Sequence, residues 1–206
     1  GHDGHTSILL GAAKYLAETR NFDGTAVLIF QPAEEGGAGA KAMCNDGLMD
    51  RWGIQEVYGM HNEPGLSVGD FSICNGASLA SSDEFEIIVT GKGGHAAVPH
   101  EAVDTTLVAA QILISLQTIV SRNVDPIKRV VLTVGTFETD SEASNVIAHS
   151  VRMAGTVRTL DPEYRKIAEE RVRRIATDTA SAFGALAEIS WDAGYPATIN
   201  TPDETG

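Results

Sequence analysis

The sequence contains few cysteines, few basic residues and few aromatic residues. Its 206 residues include only 2 cysteines, Cys44 and Cys74, which excludes a disulfide framework and favours a reducing compartment such as the cytoplasm. Lysine and arginine number 15 against 28 acidic residues, and the formal net charge is −13. Such a charge repels nucleic acid and anionic membrane surfaces, so we expect neither as a partner.

Long apolar segments are also missing from the sequence. Apolar runs such as residues 112–116 are far too short to span a bilayer, so no membrane segment is predicted. Hydrophobic residues nevertheless make up 43% of the chain, which is typical of a folded globular protein. The length allows one large domain or two small ones.

The first part of the chain alternates between helix-like and strand-like patterns. Residues 6–20 and 39–49 have helical periodicity or composition, whereas residues 25–30 and 56–60 are short apolar runs typical of buried parallel strands. This order predicts parallel βαβ units, in which ligands bind beyond the carboxyl ends of the strands. Side chains that follow residues 30 and 60 are therefore expected at one edge of a sheet.

A second module follows the small, polar stretch of residues 75–83. Strands are predicted at 84–90, 129–137, 146–157 and 186–191, and helices at 103–120 and 162–183. Asp161 and Pro162 form an N-cap followed by proline at the first helical position. The first helix is predicted to turn one face inward, formed by Leu107, Ala110, Leu113, Ile114 and Val120. The order βαββαβ is that of a ferredoxin-like sandwich.

Histidines and a glutamate pair in the first part of the chain are candidate metal ligands. His2 and His5 lie in the motif GHDGH, and His61 follows the second predicted strand. We interpret His2 and His61 as ligands, while His5 either supports the ligands or only packs against the turn. Imidazole and carboxylate ligands suit first-row divalent metals.

Glu34 and Glu35 lie between a buried strand and a glycine-rich turn. Adjacent side chains point in different directions, so one carboxylate can bind a metal while the other faces the bound water. A metal hydrolase needs this pair of roles: a ligand and a general base. The pattern therefore predicts metal-assisted hydrolysis.

A second cluster of candidate residues lies in the second module. His95 is placed among small residues in a glycine-rich turn, where it can donate to an oxyanion. Asn145 in a loop and Arg158 at the end of the following strand can hold a carboxylate, for which arginine offers a planar fork. By itself, Arg158 is more simply explained by a surface ion pair.

Five motifs occur in one order along the chain. They are GHDGH, FQPAEEGGAGAKAM, GMHN, GKGGHAAVPH and SNVIAHSVRMAGTVRTLD. Together they closely resemble the amidohydrolase branch of the aminoacylase and carboxypeptidase family of metallopeptidases. The resemblance implies an α/β catalytic domain with a two-metal centre of zinc or manganese, and an inserted ferredoxin-like lid domain that forms a homodimer.

The resemblance also implies a role for each candidate residue. His2, Glu35 and His61 match metal ligands, and Glu34 matches the general base. The implied reaction is hydrolysis of a hippurate-like N-acyl or N-aroyl amino acid by a metal-bound hydroxide. His95 matches a lid histidine that stabilises the oxyanion in the partner subunit's active site, and Asn145 and Arg158 match residues that contact the substrate carboxylate.

Some parts of the family pattern are missing from this sequence. The cysteine ligand expected immediately before the position of Gly1 and the histidine ligand expected after Gly206 are absent. We therefore expect an internal fragment that by itself binds metal weakly and has little activity. Its predicted domains are a partial catalytic domain at 1–78, the lid at 79–193, and a return to the catalytic domain at 194–206.

Two other functions remain open on the sequence. The chain can be a non-catalytic dimerisation or binding module, or it can come from an exopeptidase that cleaves dipeptides. Hydrolysis of N-acyl amino acids, of dipeptides, or of neither would distinguish these three functions.

Overall fold

The computed structural model describes residues 2–201. These residues form two compact units, one of residues 2–72 and one of residues 73–201. Gly1, the first residue of the GHDGH motif, and residues 202–206, the end of the predicted return segment, lie outside the described residues. The predicted roles of the domains, and the boundary after residue 78, stay predictions.

The first unit consists of three helices joined by extended segments. Helix α1 spans His2–Thr19, α2 spans Gly39–Asn45 and α3 spans Leu48–Trp52. The helix predicted at 39–49 is thus broken into two, because Gly47 adopts φ 82 and interrupts the helical backbone. Helix α1 also begins earlier than predicted and includes His2 and His5.

The two parallel strands predicted in this unit are wrong. Residues 25–30 and 56–60 are extended but form no strand ladder in the described chain. A strand needs a neighbour to accept and donate its backbone hydrogen bonds, and a parallel strand needs cover on both faces. Here Val57 and Tyr58 are exposed, and Gly39 is the only buried residue between residues 2 and 72.

The second unit contains eight strands and two long helices. It begins with three strands, β1 (Gly76–Leu79), β2 (Asp83–Thr90) and β3 (Gly94–His95). A short 3-10 turn at Pro99–Glu101 leads to helix α4 (Thr105–Thr118), which continues into a π-helical turn at Ile119–Asn123. Then come β4 (Val130–Thr139), β5 (Val146–Ile147), β6 (Ser150–Thr159), α5 (Pro162–Ala182), β7 (Leu186–Ala193) and β8 (Thr198–Asn200).

The central sheet confirms the predicted βαββαβ order. Its four strands are all antiparallel to their neighbours, in the order β4-β6-β2-β7. Helices α4 and α5 pack against one face of this sheet. Strand β2 alternates as predicted, with Phe85, Ile87 and Val89 between 0% and 3% exposed. The core between the sheet and the helices also includes Met153, Val157, Ala168 and Val172.

Two smaller ribbons flank the central sheet. Strand β1 pairs with β8, so the chain after Tyr195 runs back alongside the segment that precedes β2. Strand β3 pairs with β5, with Gly94 opposite Ile147 and His95 opposite Val146. The strand predicted at 146–157 is therefore divided into β5 and β6, and β5 belongs to a different ribbon from β6.

The face that helix α4 presents to the core differs in part from the one predicted, of which Leu113 does pack against the core. Its buried residues are Thr105, Val108, Ala109, Ile112 and Leu116, whereas Leu107 and Ile114 are 59% and 62% exposed. The helix has apolar residues around most of its circumference, so apolar spacing alone does not select a face. Contact with the sheet and with α5 selects it instead.

By length and composition alone, the segment Thr105–Asn123 would be able to cross a membrane, so the expectation that every apolar run is too short needs correction. The apolar character has another explanation, because Ile112, Leu116 and Ile119 are fully buried between the sheet and α5. Core helices of globular proteins have the same composition.

Candidate metal centre

The glutamate pair lies in a tight turn between Pro32 and the start of α2. Ala33 and Ala38 both adopt left-handed backbone conformations, with φ 50 and φ 49. Such conformations cost an alanine about 1 to 2 kcal/mol and are often found at functional sites. A Cβ atom on Gly39 would lie 1.7 Å from the carbonyl oxygen of Pro32, so only glycine permits this close return of the chain.

The turn brings both carboxylates to His2 in the first turn of α1. The Nε2 atom of His2 lies 3.6 Å from Oε2 of Glu34, and its Nδ1 atom lies 3.5 Å from Oε1 of Glu35. The two acids therefore approach opposite nitrogens of one imidazole ring.

His61 joins the same part of the first unit. His2, His5 and His61 form one group whose ligand atoms lie within 4.8 Å of one another, and His2, Glu34 and Glu35 form another. His2, Glu35 and His61 also line an open cleft of about 460 Å³, together with Asn62 and Pro64. The sequence order had suggested this proximity, although the two strands expected to produce it do not form.

A backbone hydrogen bond fixes the tautomer of His61. Its Nδ1–H donates to the carbonyl oxygen of Asn62 at 2.8 Å. The proton on Nδ1 leaves the Nε2 lone pair available, which is the usual arrangement for a metal-binding histidine. His61 is solvent-exposed, so this nitrogen is accessible to a metal ion from solution.

His5 supports the turn that carries His61. The backbone N–H of Asn62 donates to Nε2 of His5 at 3.2 Å, and Oδ1 of Asn62 also contacts this nitrogen. The residue that sequence reasoning missed here is Asn62, although it follows His61 directly in the GMHN motif.

The donors of this cluster fit a divalent metal. Ligand atoms about 2.0 to 2.1 Å from a tetrahedral ion lie about 3.3 Å from each other. The 3.5 Å contact between Nδ1 of His2 and Oε1 of Glu35 is close to that separation. Imidazole nitrogens combined with carboxylate oxygens suit zinc or manganese. His61 groups with His2 and His5, whereas Glu35 groups with His2 and Glu34, so His2 belongs to both groups.

In the second unit, His95 and Asn145 lie close together. The N–H of Ala96 donates to the carbonyl oxygen of Asn145 at 3.0 Å, and His95 pairs with Val146 across the β3–β5 ribbon. A Cβ atom on Gly93 would lie 3.0 Å from the carbonyl oxygen of Ile147, which explains a glycine at this close approach.

The ring of His95 is held in one tautomer. The N–H of Ala97 donates to Nδ1 of His95 at 3.0 Å. Nδ1 is therefore the acceptor, and the neutral ring carries its proton on Nε2. His95 is exposed, so this Nε2–H can donate to a negatively charged oxygen outside the ribbon.

Arg158 is not brought to Asn145 within one chain. It lies near the end of β6, opposite Val131, whereas Asn145 precedes the other end of that strand. With a rise of about 3.3 Å per residue, the two ends of β6 are roughly 30 Å apart. One chain therefore does not place both residues around a single small carboxylate.

Comparisons with known proteins agree with these features. Residues 1–206 match Peptidase family M20/M25/M40. The chain is 42% identical over 207 residues to an N-acetyl-L-cysteine deacetylase of Bacillus subtilis, covering 100% of this chain and 49% of that protein. It is 43% identical over 203 residues to a hippurate hydrolase of Campylobacter jejuni, covering 98% of this chain and 52% of that protein.

A solved structure has the same fold. The YxeP protein of Bacillus subtilis, described as a dinuclear metal-binding peptidase from the M20 family, superposes with a TM-score of 0.78 at 34% identity. The match covers 98% of this chain and 50% of that one. The chain thus spans about half the length of the relatives it matches. With its motifs and its α/β fold, it belongs to Peptidase family M20/M25/M40.

Proposed function

We propose that the protein hydrolyses the amide bond of N-acyl or N-aroyl amino acids in a metal-dependent reaction. The observation that carries this proposal is the position of His2 between Glu34 and Glu35, beside His61. Relatives named as an N-acetyl-L-cysteine deacetylase and a hippurate hydrolase support the same class of substrate.

His2, Glu35 and His61 are the residues that would hold divalent metal, with zinc or manganese as the expected ions. A relative described as dinuclear supports two ions in the complete site. When bound, the metal would polarise the amide carbonyl and make attacking water more acidic. The ligands of this chain are fewer than a two-metal site requires, so we expect weak metal binding and little hydrolysis by residues 1–206 alone.

Glu34 is proposed as the general base. Its carboxylate would accept a proton from the attacking water and then deliver it to the nitrogen of the leaving amine. The amide C–N bond breaks, and the products are a carboxylate and a free amino acid. Glu34 lies against Nε2 of His2, whereas Glu35 lies against Nδ1. Glu34 is therefore beside the proposed ligands His2 and Glu35.

His95, Asn145 and Arg158 are proposed to contact the substrate. His95 would donate from Nε2 to the carbonyl oxygen as that oxygen gains charge, and Arg158 would pair with the substrate carboxylate. His95 and Arg158 lie towards opposite ends of β6, so a homodimer formed by the second unit is the proposed way to supply both to one substrate.

The two exposed free thiols of Cys44 and Cys74 support a cytoplasmic location.

An exopeptidase is the second candidate. The solved relative is described as a peptidase, and dipeptides present the same amide bond and carboxylate. A dipeptide also carries a free amine, for which a pocket would need an added acid or carbonyl. A non-catalytic dimerisation module is the third candidate, supported by the well-packed core of the second unit.

A substrate panel on Glu34 variants tests the proposal. The chain, extended to the length of its relatives and loaded with zinc or manganese, is assayed with hippurate, N-acetyl amino acids and dipeptides. Glu34→Gln is expected to lower kcat by about 100-fold or more, with KM little changed. Glu63→Gln, an exposed acid in the same unit, serves as the control. Cleavage of dipeptides alone would favour the exopeptidase, and full activity in Glu34→Gln would exclude this base.

A further inference from the structure

The segment between β4 and β6 is closed by the carboxylate of Asp140. Asp140 accepts hydrogen bonds from the backbone N–H of His149 at 3.0 Å on one oxygen. Its other oxygen accepts from the N–H and from the Oγ–H of Ser150, both at 3.1 Å. The N–H of Asp140 donates in turn to the carbonyl oxygen of Ser150 at 3.2 Å. Asp140 thus joins the two ends of the segment 141–148.

This segment carries Asn145 and β5. The N–H of Ala96, next to His95, donates to the carbonyl oxygen of Asn145 at 3.0 Å. The strand containing His95 therefore lies against a segment whose two ends are both held by Asp140. A second hydrogen bond holds the turn that precedes His95: the N–H of Gly91 donates to the carbonyl oxygen of His149 at 3.0 Å.

We propose that Asp140 is a positioning residue that holds Asn145 beside His95. The inference rests on the proposed function of His95 and Asn145, because Asp140 itself touches neither. Its contribution is to fix the backbone from which the Asn145 carbonyl and the β3–β5 pairing are presented. A carboxylate suits this role, because its two oxygens can together accept the three hydrogen bonds from His149 and Ser150.

The charge state of Asp140 agrees with this role. Partial removal from water acts to raise the pKa of this carboxyl, but the hydrogen bonds from Ser150 and His149 outweigh it, and the pKa is lowered. Asp140 is therefore ionised at neutral pH, and hydrogen bonds to an ionised acceptor are stronger than neutral ones. The nearby Glu142, two residues further on, is an exposed acid in the same loop and provides a matched comparison.

Amide hydrogen exchange in the 206-residue chain tests the structural part of the proposal. In Asp140→Ala, the Ala96 amide is expected to exchange at least about tenfold faster than in the unmodified chain, because the loop that accepts its hydrogen bond is released. Ser150→Ala removes one of the three donors and is expected to give a smaller increase. Glu142→Gln should leave Ala96 unchanged, and Val89 and Met153 in the core should stay protected in every variant.

Kinetics on the chain extended to the length of its relatives test the functional part. Asp140→Asn is expected to lower kcat for an N-acyl amino acid at least about tenfold with KM nearly unchanged, because His95 acts on the oxyanion of the transition state. Unchanged exchange at Ala96 would overturn the proposal, and so would faster exchange with an unchanged kcat. If the extended chain with Asp140 intact hydrolyses no N-acyl amino acid, the proposed function fails, and exchange at Ala96 alone decides whether Asp140 holds this segment.

Discussion

At the residue scale, one buried ion pair is central to the second unit. Asp83 is fully buried, and Nε and Nη2 of Arg165 donate to its two oxygens at 2.7 and 2.5 Å. Nη2 of Arg165 also donates to the carbonyl oxygen of Gly194 at 3.0 Å. The pair thus joins the start of β2, the start of α5 and the end of β7.

Removing the charge of Asp83 is expected to destabilise the second unit. Asp83→Asn leaves the Arg165 guanidinium without its counter-charge, and breaking such a pair typically costs about 3 to 5 kcal/mol. Arg165 keeps 24% side-chain exposure, so the loss should fall at the lower end of that range. Urea unfolding of the second unit measures it, with Glu84→Gln, an exposed neighbour on β2, as the control. Equal stability of the two variants would contradict this account.

A second residue-scale prediction concerns acid stability. Asp161 caps α5 through the N–H of Glu163 and pairs with Lys128 at 2.9 Å. The hydrogen bond from Lys128 is the main cause that lowers the pKa of Asp161 below its ordinary value of 3.8. The folded chain therefore binds this proton less readily than the unfolded chain, so the contribution of Asp161 is complete above pH 3.8 and is lost as the pH falls through the lowered value.

The variant Asp161→Asn isolates this effect. Asparagine keeps a good N-cap but carries no charge for Lys128. The variant is expected to be less stable than the unmodified chain at neutral pH, and the difference should shrink as the pH falls below about 3.8. Urea midpoints measured from about pH 6 down to pH 2 provide the comparison. A difference that is constant over this range would show that Asp161 does not titrate in this way.

At the element scale, the face that α4 turns to the core can be tested with a pair of isoleucines. Ile112 is 0% exposed and Ile114 is 62% exposed on the same helix. Ile112→Ala is expected to lower the free energy of unfolding by about 2 to 5 kcal/mol, because it leaves a cavity between the helix and the sheet. Ile114→Ala should change it by less than about 1 kcal/mol. The reverse order would favour the face predicted from sequence.

The elements also indicate what the sequence can determine. The alternation of β2 and the cap of Asp161 before Pro162 are local signals, and both are confirmed. The face of α4 depends on partners distant in sequence, since its apolar residues surround most of the helix. The strands predicted at 25–30 and 56–60 depend on hydrogen-bonding neighbours, and no described segment pairs with them.

In the candidate site, too, some features could be predicted from local motifs and others depend on residues distant in sequence. The approach of His2 to Glu34 and Glu35 was expected from motif order, and the structure brings these residues together. The separation of Arg158 from Asn145 follows from the strand predicted between them at residues 146–157, although the two residues were expected to act on one carboxylate. Asp140 gave no sequence signal of its own, since its partners, His149 and Ser150, are identified only by the closure of the loop.

At the scale of the whole molecule, the two units differ in how well they are packed. The second unit has a continuous core of buried side chains, whereas residues 2–72 bury only Gly39. Burial of apolar surface is the main source of folding free energy, at about 25 cal/mol per Å². The second unit is therefore the part expected to fold stably in the 206-residue chain.

Hydrogen exchange along the whole chain tests this difference. Amides of β2, β6 and α5 are expected to be protected by the full stability of the second unit, whereas amides of residues 25–30 and 56–60 should exchange close to the rates of an unfolded chain. Equal protection of both units in the shorter chain would contradict the account.

Metal content tests the candidate metal centre most directly, measured by plasma mass spectrometry on the purified chain and on one extended to the length of its relatives. We expect zinc or manganese near two equivalents in the extended chain and much less in residues 1–206. His61→Ala and Glu35→Gln should remove metal from the extended chain, while Glu63→Gln should not. Full metal content in the His61 and Glu35 variants would contradict the assignment of this cluster as the metal centre.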